Sequence, residues 1–153
     1  MSDVVFPVHE FQERTARAQH RMAEAGLDAL LLTTEPEVRY FSGFLTRFWE
    51  SPTRPWFLIV PAVGKPSAVI PSIGVALMQT TWIDDIRSWR APDYTDDGVS
   101  LLAETLAEVT GPTARIGLPM GRETLLRMPL ADLERLRDVL KPRELVDAGG
   151  VMR

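Results

Sequence analysis

Two histidines are the side chains of this sequence best suited to bind a metal ion or to transfer a proton near neutral pH. His9 and His20 are eleven residues apart, and on one helix this spacing corresponds to about 16 Å, which is too far for a shared ion. A His-Glu-x-x-His motif, which would place two histidines one turn apart, is absent. We therefore interpret both histidines as solvated helix residues and predict no metal ligand in this chain.

The paired carboxylates have structural explanations. Asp84 and Asp85 are adjacent, so on a strand their side chains point to opposite faces. Asp96 and Asp97 precede an amphipathic segment and are predicted to cap a helix there. A magnesium-dependent nuclease site would need several acids converging from the strands, and Asp28 is the only acid that opens a predicted central strand. We therefore predict no nuclease activity.

A nucleophile is missing as well. Ser42 lies in the segment Tyr-Phe-Ser-Gly-Phe, which is not the Gly-x-Ser-x-Gly elbow, and no histidine follows it to act as a base. The chain has no cysteine, which excludes thiolate nucleophiles, thiolate metal sites and disulfides. Phosphate-binding loops are also absent, because Gly64 and Lys65 lack the upstream glycine and residues 117–121 lack the rest of a dinucleotide fingerprint. We predict no catalytic residue in this chain.

The segment from Arg47 to Phe57 is the exception, because it concentrates tryptophan and arginine, the residues most enriched at interface hot spots. Two prolines disfavour regular structure through most of it. Trp56 and Phe57 begin a predicted strand, so we expect them to pack against the sheet. For Arg47, Trp49 and Arg54 two alternatives stay open: they contact a substrate or a subunit, or the tryptophan closes the end of the sheet and the arginines are solvated.

Composition describes an ordinary globular chain. Its 153 residues correspond to one domain, and the proportions of hydrophobic (45%) and charged (25%) residues are usual for a folded protein. The formal net charge of −4 argues against a nucleic-acid partner. No apolar stretch approaches the roughly 20 residues needed to span a bilayer, and the first residues lack the features of a signal peptide. We therefore expect a cytoplasmic protein with no membrane partner.

The spacing of apolar residues predicts strands that alternate with helices. A helix is predicted over residues 9–25, with Gly26 at its carboxyl end. Further helices are predicted at 74–81, after Asp96 and Asp97, and at 122–140, with a short helical turn at 36–40, and strands at 28–33, 56–61, 67–70, 85–89, 114–118 and 144–147. The second and third strands form a hairpin and the fourth is expected at an edge, so the fold class is α/β with a mixed sheet covered by helices on both faces.

Several segments, in this order and spacing, resemble the amino-terminal domain of the creatinase, prolidase (Xaa-Pro dipeptidase) and aminopeptidase P family. They are Gly-Leu-Asp-Ala-Leu-Leu-Leu at 26–32, Tyr-Phe-Ser-Gly-Phe at 40–44, Arg-Ile-Gly-Leu at 115–118 and Leu-Val-Asp at 145–147. The resemblance implies a three-layer α/β/α sandwich with a mixed, ribonuclease-H-like sheet. It also implies that residues 1–153 form one such domain and that the carboxy-terminal catalytic domain, of the pita-bread fold, is absent from this chain.

What the resemblance implies about function follows from that family. The parent would be a metal-dependent Xaa-Pro peptidase or a creatinase-like C–N hydrolase, with two divalent metal ions held by two aspartates, a histidine and two glutamates of the catalytic domain. This chain itself would hold no cofactor and would not be an enzyme. It would contact its own catalytic domain, take part in a homodimer and form part of the substrate pocket. The residues that match the family's overhanging loop are Phe44, Arg47, Trp49 and Arg54, and an arginine there could hold a substrate carboxylate.

A second function from another class stays open. The chain could be a stand-alone protein-binding or oligomerisation module that kept the fold without catalysis. Surface properties distinguish the two: a stand-alone module is expected to be monodisperse, whereas a domain separated from its catalytic partner is expected to expose an apolar patch and to self-associate.

Overall fold

The computed structural model describes residues 6–50 and 54–152, with Phe48 and Glu50 described by their backbone only. Within these residues one six-stranded sheet forms in the order β4-β3-β2-β1-β5-β6. The strands are β1 Ala29–Leu32, β2 Phe57–Pro61, β3 Ser67–Pro71, β4 Asp85–Trp89, β5 Arg115–Leu118 and β6 Glu144–Asp147. Every strand therefore lies within two residues of its predicted position, and β4 lies at an edge as expected.

The sheet is mixed, as predicted. Strand β2 pairs antiparallel with both β1 and β3, so β2 and β3 form the expected hairpin. The other neighbours, β3 with β4, β1 with β5 and β5 with β6, are parallel. Leu32 lies opposite Leu58 at the carboxyl end of β1, so the chain that enters β2 passes close to that end. This register places Trp56 and Phe57, at the end of the segment rich in tryptophan and arginine, beside the carboxyl end of β1.

Helices cover both faces of the sheet and complete the three-layer sandwich. They are α1 Val8–Ala25, α2 Glu35–Ser42, α3 Val75–Met78, α4 Val99–Val109 and α5 Leu130–Leu140, with short 3-10 helices at Arg47–Glu50 and Ser72–Gly74. Leu30 and Leu32 pack in the core with α1, α2 and α3. Ala29 and Leu31 pack in a second core with α4 and α5. Successive strand residues thus face opposite layers, which explains why β1 is a continuous apolar run.

The first helix ends where the sequence predicted. Gly26 adopts a left-handed conformation with φ of 70°, which glycine reaches without strain. The N–H groups of Gly26 and Leu27 donate to the carbonyls of Ala23 and Met22 at 3.2 and 2.8 Å. These bonds satisfy carbonyls at the helix end and turn the chain directly into β1.

The prediction of a helix over residues 122–140 is wrong in its first half, because α5 begins only at Leu130. Pro129 precedes it with φ −59° and ψ 141°, and the residue before a proline avoids helical conformations. Glu123 has a positive φ of 61°, which also interrupts a helix. The predicted apolar stripe shifts accordingly: Leu130 is 73% exposed, whereas Leu136 is fully buried.

Capping of α4 differs in detail from the prediction. Gly98, with φ 89°, occupies the N-cap position, not Asp96 or Asp97. Asp96 still accepts a hydrogen bond from the N–H of Ser100 at 3.0 Å, so it satisfies one free donor of the first turn. Asp97 accepts from the indole N–H of Trp89 at 2.8 Å. The second acid therefore ties β4 to the start of α4.

Candidate contact site at the carboxyl edge of the first strand

The structure places the four predicted contact residues near one end of the sheet, but in different environments. Phe44 is 1% exposed and lies 5.4 Å from the ring of Trp56, while Trp49 is 9% exposed and lies 5.9 Å from that ring. Both side chains belong to the core beneath the loop. Arg47 is exposed at the start of its 3-10 helix, and Arg54 is half-buried. Residues 51–53 of the segment lie outside the described residues.

Arg127, which no sequence pattern indicated, contacts the backbone of Trp49 and of Arg54. Its guanidinium donates from Nη1 to the carbonyl oxygen of Arg54 and from Nη2 to that of Trp49 at 3.4 Å. The guanidinium carbon also lies 5.1 Å from the centre of the Trp49 ring, within the range of a cation–π contact. The backbone N–H of Arg127 donates to Oγ1 of Thr33 at 2.8 Å. We call Thr33, Trp49, Arg54, Trp56 and Arg127 the Arg127 cluster.

Partial burial sets the electrostatics around this cluster. Burial lowers the pKa of Arg127, and the negative charge of Glu35 offsets part of that effect. Burial raises the pKa of Glu37, while hydrogen bonds from Thr34 and Thr33 act in the opposite direction. Both carboxylates belong to the first turn of α2, where the helix dipole favours negative charge. The negative charge of Glu35, at the start of α2, thus favours the charged form of the Arg127 guanidinium.

A match over nearly the whole sequence shows which family the chain belongs to. The model of the Creatinase/Prolidase N-terminal domain matches residues 14–153. The chain belongs to this family. Every element of the sheet lies inside the matched range, so the domain and the fold described above coincide. No curated protein matches the chain.

Solved structures with the same fold are dipeptidases and prolidases. Dipeptidase PepE from Mycobacterium ulcerans is 27% identical with a TM-score of 0.70, and the match covers 97% of this chain and 37% of that one. A recombinant prolidase from Thermococcus sibiricus is 17% identical with a TM-score of 0.73, and the match covers 93% and 35%. The chain thus spans little more than a third of the length of these relatives.

One solved structure is itself a separate domain. The N-terminal domain of the cytoplasmic peptidase PepQ from Mycobacterium tuberculosis H37Rv is 22% identical with a TM-score of 0.66, and the match covers 91% of this chain and 95% of that one. In length and architecture, this creatinase/prolidase N-terminal domain is therefore similar to a domain that has been solved on its own.

Ser42 and His20 make local contacts in this creatinase/prolidase N-terminal domain. Ser42 is 1% exposed, donates to the carbonyl of Val38 at 2.6 Å and accepts from the N–H of Phe44 at 3.0 Å. His20 lies beside Glu24 at 3.1 Å, and both are exposed. No group of three histidine, aspartate or glutamate side chains in the described part of the chain could hold a metal ion. Likewise, no described helix is long and apolar enough to cross a membrane.

A cavity of about 550 Å³ opens between the amino-terminal half of α1, α2 and α3. Arg14 stands in its wall, with its guanidinium carbon 4.5 Å from the centre of the Phe6 ring and 4.7 Å from that of Tyr40. The same group donates to Glu10 at 3.0 Å and to the carbonyl of Tyr40 at 2.9 Å. These contacts fix α1 against α2. Helix α2 begins two residues after Thr33, which belongs to the Arg127 cluster.

Proposed function

We propose that the chain is the non-catalytic N-terminal domain of a dinuclear-metal hydrolase of the Xaa-Pro dipeptidase or creatinase type. The family match over residues 14–153 supports this proposal, as does the similarity to the solved structures of a dipeptidase and a prolidase. The described residues do not fit a metal site. The two metal ions of such an enzyme would therefore be held by a separate catalytic domain, together with the hydrolytic chemistry.

Within that enzyme, we assign to this domain one wall of the substrate pocket and contacts in a homodimer. The observation that carries the assignment is the position of Arg47, which is exposed, and Arg54, which is half-buried, near the carboxyl end of β1. The carbonyls of Trp49 and Arg54 are held there by Arg127. An exposed arginine on a fixed loop can bind a substrate carboxylate through two parallel hydrogen bonds. Since PepQ, whose N-terminal domain is similar to this chain, is a cytoplasmic peptidase, we also propose a cytoplasmic location.

Substitution of the two loop arginines in the full-length enzyme tests the pocket assignment. Arg47→Ala and Arg54→Ala should each be compared with wild type for hydrolysis of an Xaa-Pro dipeptide and of its carboxyamide. If either arginine binds the substrate carboxylate, its loss should raise the KM for the dipeptide about tenfold or more. The KM for the carboxyamide should change little, because that substrate has no carboxylate to lose.

Arg90→Ala is a suitable control, since Arg90 is an exposed arginine that follows the edge strand β4. It should leave both KM values unchanged. Unchanged kinetics in both loop variants would contradict the pocket assignment. An equal rise for the dipeptide and the carboxyamide would also contradict it, because carboxylate recognition must distinguish the two substrates.

A further inference from the structure

We propose that Arg127 is a positioning residue that fixes the backbone at Trp49 and Arg54 and thereby aims the contacts made by Arg47 and Arg54. The role of those two contacts rests on the proposed function. The positioning itself rests on the geometry of the Arg127 cluster alone. The two parts can therefore fail separately, and the experiment below distinguishes them.

The guanidinium holds the loop at two points. Its two terminal nitrogens donate to the carbonyls of Trp49 and Arg54, which enclose residues 50–53. Because a guanidinium is a rigid, planar fork, binding both carbonyls with one group fixes the separation between the two ends of this segment. The contact with the Trp49 ring adds a third constraint, from the apolar side.

Arg127 is itself fixed to the rest of the domain. Its backbone N–H donates to Thr33 at 2.8 Å, and Thr33 is 1% exposed at the carboxyl end of β1. Two residues further along the chain, Pro129 marks the start of α5. The loop is thus connected to the central strand and to a helix through a single residue. A displacement of Arg127 would be transmitted to Trp49 and Arg54 directly.

A lysine cannot reproduce this geometry. Its ammonium carries its three N–H donors on one nitrogen, so it lacks the rigid, planar fork with which a guanidinium reaches two separate carbonyls while lying against an indole ring. Because the guanidinium is partly buried, its removal also leaves the carbonyls of Trp49 and Arg54 without this donor, which costs free energy. We therefore expect Arg127→Lys to keep the charge at this position and to lose much of the positioning.

Arg143 provides a matched control elsewhere in the same fold. It donates to Oγ1 of Thr110 at 3.0 Å and to the carbonyls of Ala107 and Thr110 at 3.3 and 3.4 Å. Like Arg127, it is a half-buried arginine that satisfies two backbone carbonyls. Its partners lie at the end of α4, on the layer opposite to the Trp49 core. Arg143→Ala therefore removes equivalent hydrogen bonds without touching the loop.

The first readout is the loop itself, in the 153-residue chain. We would record the indole N–H resonance of Trp49, assigned by its loss in Trp49→Phe, and the amide exchange of residues 47–54. Among the described residues, nothing accepts a hydrogen bond from this indole N–H, so its resonance reports chiefly on the ring environment. Arg127→Ala and Arg127→Lys should shift the resonance and accelerate exchange, and Arg143→Ala should do neither.

The second readout is the KM for an Xaa-Pro dipeptide in the full-length enzyme. Arg127→Ala should raise KM about tenfold with a smaller change in kcat, since misplacing a binding group by about 1 Å can cost that much or more. An unchanged loop in both Arg127 variants would overturn the positioning role. A changed loop with unchanged KM would leave the positioning in place and would overturn the proposed role of this loop in the pocket. Should Arg127→Ala fail to fold, Arg127→Lys decides both points.

Discussion

The roles of some residues in this domain can be predicted from their local sequence, whereas the roles of others are visible only in the fold. The interpretation of His20 as a solvated helix residue follows from its local sequence, and the structure places it exposed on α1 beside Glu24. Arg127 could not be found in this way, because its partners Thr33, Trp49 and Arg54 lie 94, 78 and 73 residues away in the chain. No local sequence pattern predicts contacts between residues so far apart in the chain. The only local hint is Pro129, two residues after Arg127, which indicates that the helix begins after it.

Glycine packing against an indole gives a prediction at this scale. Gly98 has φ +89°, and a Cβ added there would lie 2.7 Å from the ring of Trp89, which is held by its bond to Asp97. Gly98→Ala combines left-handed strain, about 1–2 kcal/mol, with overpacking, about 1–3 kcal/mol. We expect the free energy of unfolding, measured with urea, to fall by more than about 2 kcal/mol.

Two other glycines separate the contributions. Gly64 has φ +93° with nothing near its added Cβ, whereas Gly111 has open space without a positive φ. Gly64→Ala should therefore cost about 1–2 kcal/mol from backbone strain alone, and Gly111→Ala should be close to neutral. A Gly98→Ala variant no less stable than Gly64→Ala would show that the Trp89 ring moves aside freely.

Whole elements were predictable where their signal is local. The strands and the helix α1 follow from apolar periodicity, and Gly26 marks the end of α1. The start of α5 was missed because the apolar spacing from Leu126 onward was extended across Pro129, although a proline commonly limits a helix at the residue before it. Residues 122–129, which the spacing predicts as helix, instead form the connection in which Arg127 contacts Thr33 at the end of β1. The error in the helix and the overlooked cluster therefore have one cause.

The junction between β1 and the connection before α5 can be tested through Thr33. Its buried Oγ1 accepts from the N–H of Arg127. Thr33→Ala leaves that donor without its partner, which should lower the free energy of unfolding by about 1–3 kcal/mol. Thr33→Ser keeps the oxygen and should recover most of that loss in urea unfolding. Equal destabilisation by the two variants would mean that the methyl group, not the hydrogen bond, stabilises the junction.

At the scale of the whole molecule, the described residues form a three-layer domain around one mixed six-stranded sheet. Two apolar cores, one on each face of the mixed sheet, pack the strands against the helices. The family match supplies the functional context that the residues alone do not. The fold could be predicted because the alternation of strands and helices is visible in local patterns of the sequence. The contacts of Trp49 and Arg54 could not, because they are made with Arg127, which is distant in the sequence.

The measurement that tests this account most directly is metal-dependent hydrolysis by the product of the whole reading frame, compared with that of residues 1–153. Both would be assayed with Mn²⁺, Co²⁺ or Zn²⁺ on a panel of Xaa-Pro dipeptides and amidine-like substrates. We predict turnover by the whole product and none by residues 1–153. Metal-dependent turnover by residues 1–153, or its absence from the whole product with every metal and substrate, would contradict the account.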